Sequence, residues 1–360
     1  MNLGVSHSLF AASFVLCLSG AASASWTVTN LHPMGYVQSE GLGGSGGQQV
    51  GIVKDSGGFR ASLWNASSGS HVDLHPSSRA ESFAYATDGS QQVGLARDAS
   101  MNDEASLWSG TAGSWVSLNP ASAVQSAAYG VAGGQQAGLA QFGSVTEAGI
   151  WGGTASSWVS LHPAVALSSA AFATTGSQQA GYAVLTSGDI VAGMWSGTAA
   201  SWVDLNPASA TYSAAFGIAG GQQVGLATVG GITRASLWTG SAASWIDLSP
   251  ASATYSHAYM TDGSRQVGYV NYGIGEKASL WTGSAASMVD LHSFLPSTFA
   301  SSVARSISTD GINYYITGAG LNTATGRYEA LLWTQPVPEP GTMAALGLGL
   351  AAVAGRRRKR

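Results

Sequence analysis

An element ending in tryptophan returns in this chain on a nearly constant clock. Ser-Leu-Trp or a close variant ends at Trp64, Trp108, Trp151, Trp195, Trp238, Trp281 and Trp333, at gaps of 44, 43, 44, 43, 43 and 52 residues. A Gln-Gln-Val-Gly element keeps the same time at Gln49, Gln92, Gln136, Gln179, Gln223 and Gln266, with Tyr315-Ile316-Thr317-Gly318 as a worn seventh copy. A fixed period of this size limits the fold to a solenoid, a propeller or an array. Each unit holds four short runs rich in β-branched and aromatic residues, broken by Gly, Ser, Asn, Asp or Pro, which is strand chemistry. No stripe at a 3.6-residue period runs through the unit.

Four strands per unit match a blade of a β-propeller. The last unit ends at Trp333 without the Trp-Val-Asp-Leu strand that closes the others. That strand stands at the opposite end of the chain, as Trp26-Thr27-Val28-Thr29-Asn30-Leu31-His32-Pro33. An open solenoid has no use for such an offset. A ring has, because the first strand then completes the last blade and removes a sheet edge. The expected fold is all-β: a seven-bladed propeller over residues 25–334, closed by its N-terminal strand and flanked by an export signal and a sorting tail.

The chain is only 9% charged, against about a quarter in ordinary soluble domains. Alternation within Ala-Ser-Leu-Trp places Ala and Leu on one face and Ser and Trp on the other, so both faces are apolar, as a blade between two blades requires. The Trp ladder is expected to be packing: a buried Trp hides about 150–250 Å². A second set, Trp26, Trp115, Trp158, Trp202 and Trp245, falls on the outermost strand and is expected to be less buried. The last unit is longer by about nine residues, and an insertion over 294–330 is expected to form a loop, where repeat proteins carry binding.

Residues 1–24 have the shape of a secretory signal. Leu9 to Leu18 is a short apolar run, and Ala22-Ser23-Ala24 is a cleavage site of the A-x-A kind, although no Lys or Arg precedes the run. The single cysteine, Cys17, lies inside this segment, so the mature chain would have no disulfide.

Residues 335–360 change character. Pro338-Glu339-Pro340 leads into an apolar run from Thr342 to Ala354 and then into Arg356-Arg357-Arg358-Lys359-Arg360. The apolar run is short for a spanning helix, which needs about 20 residues, and the basic end would stay cytoplasmic. This tripartite tail resembles the PEP-CTERM sorting signal of exported bacterial proteins. The resemblance implies transient membrane insertion through the apolar helix and recognition of Pro338, Glu339 and Pro340 by an exosortase-type enzyme, with Arg356, Arg357 and Arg358 as the basic end. It implies delivery to the envelope, the surface or the extracellular matrix of a Gram-negative bacterium, where exopolysaccharide is a candidate partner. Five of the 14 Lys and Arg sit in this tail, against 18 Asp and Glu in the whole chain. The exported body is therefore acidic, which argues against nucleic acid as a partner. The repeats are also similar to the HAF family of bacterial extracellular repeats, through Ala84-Tyr85, Asp88-Gly89, Val93-Gly94 and Ala105-Ser106-Leu107-Trp108. That family lends no activity.

His32, His75, His162 and His292 share a slot after the Asp-Leu strand that Asn119, Asn206 and Ser249 fill elsewhere. The slot is expected to cap a turn rather than to hold a metal. The preceding slot, with Asp73, Asp204, Asp247 and Asp290 alternating with Ser117, Ser160 and Asn30, is expected to bond its own backbone. His-Glu-x-x-His does not occur, and the one Gly-x-Ser-x-Gly match, Gly43-Gly44-Ser45-Gly46-Gly47, precedes a strand rather than joining a strand to a helix. The glycine-rich pieces precede strands and are expected to be hairpin turns. No catalytic, cofactor or metal residue is assigned. The repeats show no asymmetric polar cluster, whereas active sites gather unlike residues at one pocket. A structural or adhesive role is expected. The alternatives are a carbohydrate-binding propeller using outer Trp and Tyr or the 294–330 loop, and a polysaccharide hydrolase or lyase. The enzyme would need carboxylates or histidines converging at the channel mouth, and a plain Gly/Ala/Gln lining would count against it.

Overall fold

The computed structural model describes residues 25–338. They form seven four-stranded antiparallel sheets, one per repeat, arranged as a seven-bladed β-propeller. The innermost strands are Gln38–Ser45, Glu81–Thr87, Gln125–Ala132, Ala166–Thr174, Ala210–Ala219, Tyr255–Thr261 and Phe299–Thr309, in blade order one to seven. In the first six blades the outermost strand is only two residues long, as at Val72–Asp73. The seventh takes Thr27–Asn30, which pairs antiparallel with Arg327–Pro336 in the register Val28↔Trp333 and Asn30↔Leu331. The first blade packs through Gln38–Ser45 against all three long strands of the seventh.

The two faces of the Trp strand do different work. Trp108 of the second blade packs backwards onto Val50, Ala61, Leu63 and Leu74 of the first. Ala105 and Leu107 pack forwards onto Trp151 of the third. All seven Trp side chains of the ladder are fully buried. The glycine of Val-Gly has a steric cause: Gly94 pairs with Ala84, and a Cβ there would strike the Phe83 carbonyl. The second Gln of Gln-Gln is buried and pins the turn after the Trp strand. Gln92 Oε1 accepts the Gly110 N–H at 2.7 Å, and Gln136 accepts that of Gly153 at 2.8 Å.

One polar relay joins every blade to the next. The Ala N–H of each Trp strand donates to a buried Ser Oγ on the next inner strand: Ala61 to Ser82, Ala105 to Ser126, Ala148 to Ser169, Ala192 to Ser213, Ala235 to Ser256, Ala278 to Ser302 and Ala330 to Ser39. That same Ser bonds the residue of the histidine slot, whether His75, Asn119 or Ser249. The slot is thus more than a turn cap. In the Asp slot, Asp73, Asp204, Asp247 and Asp290 each accept the backbone N–H two residues on, and Asn30, Ser117 and Ser160 do the same.

The extra residues of the last unit do not form one inserted loop. They lengthen the three long strands to 11, 10 and 10 residues and add a 3-10 turn at Leu291–Phe294. The spacing from histidine slot to serine grows from seven to ten. Among the described residues no helix is long and apolar enough to cross a membrane. The apolar run of the tail and residues 1–24 lie outside the described residues.

Candidate functional site

A β-bulge interrupts every inner strand at the same place. The pairing skips a residue between Gly41 and Gly43, Ala84 and Ala86, Ala128 and Gly130, Ala171 and Ala173, Ala215 and Gly217, Ala258 and Met260, and Ala304 and Ser306. A bulge leaves one residue unpaired and re-aims its side chain. The residues so placed are Leu42, Tyr85, Tyr129, Phe172, Phe216, Tyr259 and Arg305, and all seven line one central cavity of about 460 Å³. That volume is of small-ligand size.

Five of the seven are aromatic rings, and they form a continuous arc. Tyr85 and Tyr129 have centroids 5.2 Å apart, Tyr129 and Phe172 5.3 Å, Phe172 and Phe216 5.4 Å, and Phe216 and Tyr259 5.8 Å. The Arg305 guanidinium stands 4.4 Å from the Tyr259 centroid and continues the arc. Burial pushes the Tyr129 phenol up to about 12, and burial moves Tyr85 upward as well. Both are neutral hydroxyl-bearing rings at ordinary pH.

The expectation of a ring without unlike residues is corrected here. A recess at the sixth and seventh blades, reaching Glu40 of the first, is lined by Tyr259, Tyr269, Glu276, Arg305 and Tyr328. His257 stacks on Tyr269 at 4.9 Å. Tyr255 donates to Glu276 at 2.9 Å and accepts from Asn271 at 2.9 Å. Burial, and then the charge of Arg305, lower His257 to about 4. Burial drives the Tyr269 phenol well above its ordinary range, helped by neighbouring phenols and Glu276. Unlike polar residues therefore gather at this recess, in addition to the ion pairs of the first two blades.

The residues singled out by sequence lie elsewhere. Pro338 is exposed beyond the last strand. Glu339, Pro340, Arg356, Arg357, Arg358, Ala22 and Ala24 lie outside the described residues. The outer tryptophans are engaged with the blade. Trp115 and Trp245 donate their indole N–H to Ser106 and Ser236 at 2.9 Å. Where glycine replaces that serine, at Gly149 and Gly193, the ring sits over the glycine. Trp158 and Trp202 then lie 4.6 Å from Trp151 and Trp195. The channel residues had one visible signal: the last position of Ser-Ala-Ala-Phe/Tyr is an aromatic ring in five blades, against Leu42 and Arg305 in the other two.

No curated protein matches the chain in sequence. Among solved structures the propeller is similar to the β-propeller domain of the Trilobed protease from Pyrococcus furiosus, described as having an open velcro topology. The TM-score is 0.55 at 9% identity, over 84% of this chain and 97% of that one. It is similar also to the S511A mutant of puromycin hydrolase complexed with PGG, with a TM-score of 0.52 at 11% identity over 81% of this chain. The match covers 53% of that hydrolase, so the chain spans about half its length. At such identities the likeness is one of fold alone. Residues 336–359 match the PEP-CTERM protein-sorting motif, which marks the chain as exported and sorted to the cell envelope through an exosortase-type enzyme.

Proposed function

We propose that this protein is a non-catalytic, adhesive or structural propeller displayed at the surface or in the extracellular matrix of a Gram-negative bacterium, and that it works by binding at its central channel. Residues 1–24 act as the signal, cut after Ala24. Pro338, Glu339 and Pro340 carry recognition by the sorting enzyme, and Arg356, Arg357 and Arg358 hold the tail at the cytoplasmic face until it is cut. The Thr27–Asn30 strand closes the ring, and the repeats are of HAF type. Exopolysaccharide is the partner in view. The observation that carries the binding reading is the arc of five aromatic rings, each aimed inward by its own bulge. Ring faces of this kind bury a large apolar area against a ligand.

The recess of the sixth and seventh blades favours a second reading, a hydrolase or lyase of matrix polysaccharide. Its groups are poorly tuned for that work. A general base is most effective with a pKa near the working pH, whereas His257 is lowered to about 4 and Tyr255 is raised by burial and by Glu276. Mass spectrometry of the protein recovered outside the cell tests the sorting half: ends after Ala24 and near Pro338 are expected, and an intact tail and signal would refute it. A glycan array with the exported protein tests the binding half. Signal above background on acidic or neutral glycans, without product formation, is expected. A blank array removes carbohydrate as the ligand, and product formation revives the enzyme.

A further inference from the structure

We propose that the central cavity binds a carboxylate carried on a ring with an apolar face, and that Arg305 takes the carboxylate. The proposal deepens the binding reading and rests on it. Seven arginines lie among the described residues. Six of them are ion-paired: Arg60 with Asp55, Arg79 with Glu104, Arg97 with Glu81, Arg234 with Asp247, Arg265 with Asp262 and Arg327 with Glu329. Arg305 is the seventh, and no described carboxylate lies within 4.0 Å of it. Its only described partner is the face of Tyr259. A cation over a ring face is held by the ring's electrostatic attraction, and this contact leaves the guanidinium N–H donors free to bond a ligand.

The position matters as much as the missing partner. In the other six blades the bulge holds leucine or an aromatic ring. The seventh blade keeps the inter-blade relay and the buried tryptophan of the template, since Ser302 takes the Ala278 N–H and Trp333 is buried. Arg305 is therefore a change of chemistry at the bulge position, where every blade places a residue in the cavity lining. The cavity lining contains no other charged residue. Glu40 and Glu276 line the adjoining recess that shares Arg305 and Tyr259. They repel an anion from that side and leave the aromatic side open to it. A carboxylate and a guanidinium make two parallel hydrogen bonds, and their attraction grows as water is excluded. The ring behind the carboxylate would meet Tyr259, Phe216 and Phe172.

A uronic acid of a polysaccharide and a simple aromatic acid share this chemistry. Titration calorimetry of the exported protein separates them with four probes: digalacturonate, its neutral counterpart digalactose, 4-hydroxybenzoate and 4-hydroxybenzamide. One acid is expected to bind at least about tenfold tighter than its neutral counterpart, a difference of about 1.4 kcal/mol. Arg305→Gln is expected to abolish that preference without changing the melting temperature, and Arg305→Lys to keep part of it as a point charge. Should Arg305→Gln fail to fold, Arg305→Lys and loss of the preference in high salt decide the matter. Equal binding of acids and neutral probes, binding of none, or a preference that survives Arg305→Gln would each overturn the proposal. Conversion of a bound probe to product would overturn the non-catalytic reading instead, because the charge preference is measured separately.

Discussion

Ala330 donates its backbone N–H to Ser39 Oγ at 2.9 Å, across 291 residues of sequence. The same bond recurs between every other pair of neighbouring blades, at a separation of 21 residues in five cases and 24 in the sixth. The seam between the seventh blade and the first is thus built with the same chemistry as the other blade junctions. Ser39 also bonds His32 at 2.8 Å, and Asn30 donates to the buried carboxylate of Glu329 at 2.7 Å.

Ser39→Ala removes a hydroxyl and leaves the Ala330 N–H buried without a partner. Such a loss costs about 1–3 kcal/mol. Urea unfolding should show a lower midpoint with an unchanged slope. Ser126→Ala should cost a similar amount, because its bond to Ala105 is equivalent. A seam variant as stable as wild type would show that the seam does not need the relay.

The relay predicts a pH dependence. His32, His75 and His292 are lowered from 6.5, by burial first and then by Arg327, Arg60 and Lys277 respectively. The unfolded chain therefore takes up protons before the folded one as pH falls. The stabilisation is fully present above about 6.5 and is lost as pH drops through the depressed folded values. Asn119 occupies the same slot, accepts from Ser126 at 2.6 Å and donates to the Ala123 carbonyl. His32→Asn with His75→Asn should keep the relay and flatten the fall in urea midpoint between pH 7 and 5. An unchanged fall would remove these histidines as its source.

The buried tryptophans are not equal. Trp333 donates its indole N–H to the Leu291 carbonyl at 3.0 Å, whereas the indole N–H groups of Trp108 and Trp238 have no protein partner. Trp333→Phe should cost about 1 kcal/mol more than Trp238→Phe, the net worth of one hydrogen bond. Trp238→Ala should cost about 3–5 kcal/mol. Thermal melting of the three variants ranks them.

The outer tryptophan and the residue beneath it go together. Gly193→Ser places a side chain where the Trp202 ring lies, and overpacking of this kind costs about 1–3 kcal/mol. Ser106→Gly opens room beneath Trp115 and should be the milder change, losing the 2.9 Å bond to its indole. Equal melting temperatures for the two would show that the ring moves aside freely.

The blades were legible because each repeats the same local requirements. Gly94 is glycine because the inner strand passes too close for a Cβ, and Trp108 recurs because each blade fills its predecessor with one large ring. The missing strand at one end and the spare strand at the other pointed to the pairing of Val28 with Trp333. The histidine slot reads as a turn position in the sequence, whereas the bond of His75 to Ser82 of the next blade does not, because seven residues of sequence conceal a contact between sheets. The extra residues of the last unit pointed to a loop, yet hydrogen bonding drew them into longer strands.

Period, strand chemistry and the tail motif were thus properties of the sequence alone, since each depends on residues close together in the chain or on their regular return. The channel was decided by tertiary structure. Tyr85 and Tyr129 stand 44 residues apart and meet only because seven bulges turn one residue per blade toward a common axis. Arg305 reads as an ordinary substitution in a worn repeat until the bulges of two neighbouring blades set it beside Tyr259, in a cavity that holds no other charge.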